Sequence, residues 1–192
     1  MGVELSIHLE AMNHEICNNS SIIECQGYRV DGDRGIKVVV GLAARKSVDY
    51  FFELNGSCTF VEFSDLARGQ EDLLGLKEKL DTIEPAFHRS KLQKLLKTDS
   101  RRELIEKFKD SKDIYAKIPT FYNEPPAYFI CPKPKVFYIV HAPISEKLSD
   151  SEKAEIARFL TTLKSTVSAS LEDDICSRVK LLLLEQFIEE IK

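Results

Sequence analysis

The chain has 192 residues, 43% hydrophobic and 30% charged, with 27 Lys+Arg against 31 Asp+Glu and five cysteines. That length holds one domain with a sizeable core, and the apolar content, with only 8 Gly and 7 Pro, excludes a disordered or collagen-like chain. Apolar runs such as Val38 to Val40 and Leu181 to Leu184 fall far short of the roughly 20 residues of a membrane span.

The N-terminal residues carry Glu4, His8 and Glu10 where a signal peptide needs an apolar stretch, so the chain is expected to be cytoplasmic. Residues 5 to 23 predict a helix, with Ile7, Ala11 and His14 in one direction. Gly27 and Asp31-Gly32-Asp33 mark turns, and three strands are expected over 36–42, 48–54 and 57–63. Between the last two stands Asn55-Gly56, the preferred loop of a type I′ hairpin.

Ser64-Asp65 can cap a helix that reaches to about residue 82, and Pro85 follows. Residues 85 to 117 form a basic block with 10 Lys+Arg and 5 Asp+Glu, while residues 1 to 84 hold 8 and 15. Leu92, Leu95, Leu96, Leu104, Ile105 and Phe108 give that block helical spacing. Its charges, among them Arg89, Lys91, Lys94, Arg101 and Arg102, suit either a nucleic-acid backbone or a plain solvated face. A proline-marked loop leads to a buried strand at Lys135 to His141. Helices are expected from Ser149 or Asp150 to about 165, and from Ser170 to about 191. The last is apolar nearly all round, through Ile175, Val179, Leu182, Leu183, Phe187 and Ile191 with Leu181, Leu184 and Ile188. It therefore lies deep in the domain or packs on a partner or a second copy of the chain. The whole predicts a single α/β domain, 1–192, with a helical insertion at about 85–117 and C-terminal helices at about 150–191.

The five cysteines are odd in number and contain no C-x-x-C pair, so reduced thiols are expected in place of disulfides or zinc. No glycine-rich phosphate loop is present, and the four histidines lack metal-ligand spacing.

A two-residue hairpin loop makes facing residue numbers sum to 111, which sets Asp49 opposite Glu62, Phe51 opposite Phe60 and Glu53 opposite Cys58. Like charges about 5 Å apart across a sheet destabilise it. A divalent cation, a neighbouring Arg45 or Lys46, or exposure at the hairpin's open end could offset the repulsion.

The run from Val48-Asp49 through Asn55-Gly56 to Glu62-Phe63-Ser64 resembles the PD-(D/E)XK motif of restriction-endonuclease-like nucleases. The element order is similar too: the family core is a helix, a three-stranded meander, a helix and a returning strand. The resemblance implies that Asp49 and Glu62 hold Mg²⁺, joined by Glu10 or Glu15 from the first helix, for phosphodiester hydrolysis in DNA or RNA. Val48 replaces the motif proline and Ser64 replaces the motif lysine. A serine hydroxyl neither activates water nor offsets phosphate charge as an ammonium does. Lys46, Arg68 or Lys77 would have to stand in, or the chain would be an inactive interaction module. As such it would serve as an immunity protein, an inhibitor or a complex subunit, its acidic remainder suiting a basic protein partner.

Overall fold

The computed structural model describes residues 3–16, 19–80, 86–130, 135–171 and 176–192, with side chains left out of the description from 75 to 99. In chain order the elements are β1 (Val3–Glu4), a 3-10 turn (Leu5–His8), β2 (Leu9–Ala11), β3 (Gln26–Arg29), α1 (Ile36–Val39), β4 (Tyr50–Leu54) and β5 (Ser57–Phe63). There follow α2 (Leu66–Leu80), α3 (Ala86–Phe121), β6 (Tyr122–Asn123), α4 (Ala127–Ile130), β7 (Lys135–His141), α5 (Asp150–Ser170), β8 (Cys176–Leu183) and α6 (Leu184–Glu190).

Six strands form one mixed sheet in the order β2-β3-β4-β5-β7-β8. The pairs β2–β3, β3–β4 and β4–β5 are antiparallel, and β5–β7 and β7–β8 are parallel. Hence β3, β5, β7 and β8 all point one way, and their C-terminal ends share an edge with the start of β4. In open α/β sheets that edge is where ligands bind.

The hairpin forms as its sequence dictates. Asn55 and Gly56 both take positive φ, 53° and 72°, as a type I′ turn requires, and the register runs Leu54↔Ser57 to Tyr50↔Val61. Alternation then splits the side chains between two cores. Phe51, Cys58 and Phe60 join Phe108, Ile114, Phe137, Ile139 and α5 on one face. Tyr50, Phe52 and Val61 join Tyr138, Val140, Phe187 and the Met12–Ile16 segment on the other. Strand β7 is covered on both faces, and its run from Phe137 to His141 is buried throughout. Ser149 caps α5 in a capping box with Glu152, at the expected position.

Four expectations are overturned. Residues 5–23 do not form a helix: after β2, the Asn- and Ser-rich stretch satisfies its backbone through side chains, with Ser21 N–H donating to Asn19 Oδ1 and Ile16 N–H to His14 Nδ1. Residues 36–42 are not a strand but contain α1, which buries Ile36 and Val40 one turn apart; the meander's first strand is instead β3. Val48, expected to begin the strand over 48–54, precedes the ladder and packs in the same core as Phe51. The C-terminal stretch is not one helix but β8 followed by α6. An all-round apolar run fits a strand covered on both faces as well as a buried helix, and here α5 and α6 supply the covers. Ile175 lies outside the described residues. The insertion is a helix, and it runs to Phe121, past the expected end, with Pro119 in its last turn.

Cys25, Cys58 and Cys176 are free thiols, while Cys17 and Cys131 lie outside the described residues. Among the described residues no helix is long and apolar enough to cross a membrane.

Candidate functional site

Asp49 and Glu62 come together where β4 begins and β5 ends. The ladder stops at Tyr50↔Val61: Asp49 N–H donates to Val61 O at 3.1 Å, and the Asp49 carboxylate turns to accept the Phe63 N–H at 2.7 Å. Glu62, on the α3-covered face with Cys58 and Phe60, is 2% exposed. Its Oε1 receives Lys107 Nζ from α3 at 2.6 Å, and its Oε2 is buried with no hydrogen-bond partner. The repulsion between the carboxylates is therefore offset by a lysine 45 positions away and by one backbone amide. Neither nominated neighbour takes part: Arg45 pairs with Asp110 and Lys46 with Glu106.

The electrostatics follow from this packing. Burial pushes the Glu62 carboxyl up to about 8, with the Asp49 charge adding to the rise and Lys107 opposing it. Burial likewise raises Asp49 to about 6 against the pull of the Phe63 amide and Lys107. Lys107 is held above its ordinary value: burial would lower it, and Glu62 and Asp49 outweigh that.

On the other side of Asp49 a cavity of about 280 Å³ opens at the same sheet edge. Its carboxylates are Glu10, Glu15, Asp31 and Asp49, its walls include Tyr50, Phe63 and His14, and Arg29 stands at its margin. Asp31 arrives on the turn after β3 and pairs with Lys37. Glu10 sits on edge strand β2, not on a helix, where its Oε1 accepts from Tyr50 at 3.1 Å and pairs with Arg29 at 3.3 Å. The cavity thus unites Glu10, Glu15 and Asp49 but is not lined by Glu62.

Ser64 follows the end of β5 with its N–H donated to Val140 O, and it does not line the cavity. Arg68 is exposed on α2, and the Lys77 side chain lies outside the described residues. Of the basic block, Arg102 pairs with Glu106 and Arg101 donates to Ser170 Oγ; the side chains of Arg89, Lys91 and Lys94 lie outside the described residues.

Lys107 is the residue the motif did not reveal. A trace of it exists in the sequence: Leu104, Phe108, Ser111 and Ile118 form the buried stripe of α3, and Lys107 falls inside that stripe, three residues after Leu104.

Among the described residues no group of three or more His, Cys, Asp or Glu side chains is arranged to hold a metal ion. Asp49 and Glu62 remain two carboxylates, one with an unpartnered buried oxygen, and oxygen donors of this kind are what a hard cation takes together with waters. No family model matches the chain, and neither a curated protein nor a solved structure does.

Proposed function

We propose that the protein is a Mg²⁺-dependent phosphodiesterase acting on nucleic acid, with a divergent restriction-endonuclease-like site built on Asp49 and Glu62. The observation that carries this reading is the buried carboxylate pair at the C-terminal edge of the sheet, with Glu62 Oε2 left without a partner. A buried acceptor without a donor is costly, and such groups cluster where a ligand completes them.

The meander β3-β4-β5, helix α2 and the parallel strand β7 support the family reading, while the missing first helix and Ser64 depart from it. Asp49 and Glu62 would hold Mg²⁺, which when bound supplies charge neutralisation and a more acidic water. Asp49, oriented by the Phe63 N–H, presents its carboxylate to the cavity, where the scissile group would enter. Arg101 and Arg102, exposed on the same helix as Lys107, offer positive charge to a phosphate backbone.

The test is nicking of supercoiled plasmid and cleavage of single-stranded RNA with Mg²⁺, by the wild type, Asp49→Asn and Glu62→Gln. Cleavage by the wild type with at least a roughly hundredfold loss in both variants is expected. Equal cleavage by all three, or none by the wild type, overturns the assignment.

A second reading has one observation in its favour: both carboxylates are already engaged, Glu62 by Lys107 and Asp49 by the Phe63 amide. Such a closed pair suits a scaffold that binds a basic protein without cutting nucleic acid. Absence of a Mg²⁺ binding heat together with recovery of such a partner would favour it.

A further inference from the structure

Lys107 sets a positive charge on the same carboxylate that a cation would share. Its ammonium touches Glu62 Oε1 at 2.6 Å, its side chain is 20% exposed, and the carboxylate beneath it is 3% exposed. The pair is not symmetric in its alternatives. Glu62 is fixed in β5, whereas Lys107 has a four-carbon stem and a second carboxylate one turn away: Glu103, exposed, at position i−4 on α3. A glutamate placed four residues before a lysine is the favourable order for a helical ion pair. Glu103 already lies close enough to act on the Lys107 charge.

Lys107 holds Oε1 and leaves Oε2 unpartnered, but a divalent cation at Oε2 would stand a few ångströms from the ammonium, and two positive charges that close in a desolvated site repel strongly. One must leave. The cation can neutralise both Asp49 and Glu62, while Lys107 neutralises one.

We propose that Lys107 is the resident counter-ion of the Asp49–Glu62 pair and that a divalent metal displaces it onto Glu103, so that metal loading is coupled to a swing of one lysine on α3. In the metal-free chain Lys107 keeps the carboxylates paired and holds α3 against the sheet. In the loaded chain its ammonium pairs with the exposed Glu103 at the rim of the site, open to solvent. This rests on the reading of Asp49 and Glu62 as metal ligands.

The experiment uses the wild-type chain. Calorimetry with Mg²⁺ sets a saturating concentration, and amine acylation read by mass spectrometry then measures the labelling of Lys107 with and without the metal. A rise of at least about threefold on loading, with exposed lysines such as Lys109 and Lys112 unchanged, is the expected result. In the Glu62→Gln variant Lys107 should label strongly with no metal present. Glu103→Gln, which leaves the buried pair intact, should weaken Mg²⁺ binding about twofold, the size of one helical ion pair. Saturable Mg²⁺ binding with Lys107 labelling unchanged or reduced overturns the displacement alone. Absence of any Mg²⁺ binding overturns both the displacement and the metal site on which it rests.

Discussion

Replacing Glu62 by glutamine should make the protein less sensitive to alkali. The ordinary carboxyl values of Asp49 and Glu62 are 3.8 and 4.5, and in the folded chain they are raised to about 6 and about 8. Between those limits the folded state holds protons that the unfolded state has lost, so the slope of stability against pH is negative. The stability is complete below the ordinary values and is lost as pH climbs through the folded ones. For Glu62 the interval from 4.5 to about 8 corresponds to about 5 kcal/mol at about 1.4 kcal/mol per pH unit. Lys107 is charged throughout this range and its opposing pull is already contained in the folded value, so the expected loss between about pH 5 and about pH 8.5 is on the order of 4 kcal/mol. The glutamine side chain is isosteric with the protonated acid and carries no charge to bury, so Glu62→Gln should match the wild type at the lower pH. At the higher pH it should be the more stable of the two, with less than half the wild-type loss. Urea unfolding in EDTA at both pH values measures this. Parallel losses in the two proteins would refute the attribution of the pH dependence to Glu62.

Two glycines offer independent checks of the backbone around the site. A Cβ on Gly35 would run into the Val30 and Asp31 carbonyl oxygens, so Gly35→Ala should cost on the order of 3 kcal/mol in a urea titration and disturb the turn that carries Asp31 to the cavity. At Gly56 the space is open and the cost is conformational, because φ is +72°. Gly56→Ala should lower stability by about 1 kcal/mol in thermal unfolding, without changing the slope of any pH dependence.

The parts of the fold that were legible are those governed by local chemistry. Asn55-Gly56 dictates a turn whose backbone only one hairpin register satisfies, and that register placed Phe51 on Phe60 and Glu53 on Cys58 correctly. Ser149 with Glu152 is a cap visible from spacing alone. Where tertiary context decides, periodicity misleads. Leu181 to Leu183 lie in a run that reads as a helix apolar nearly all round, and it is β7, by offering a parallel edge, that makes it a strand. Ile36 and Val40 are β-branched yet lie in and beside a single helical turn, since that spacing buries both. At the site, the two carboxylates were legible because they belong to one hairpin. Lys107 was not: its meaning depends on α3 crossing the end of β5, which no local pattern encodes.

The long excursion between β5 and β7 has a kinetic consequence. Phe60 meets Phe51 across a hairpin separated by 9 positions, but meets Phe137 across 77. Closing the longer loop costs about 2 kcal/mol more in chain entropy. The hairpin should therefore be native while the parallel ladder is still unformed, and Lys107, midway along the excursion, arrives with the later event. In that interval Asp49 and Glu62 face each other in water, where they can ionise cheaply and no lysine competes. A divalent cation present while the chain refolds would meet an acidic pair that is easier to reach than it will be once α3 has docked.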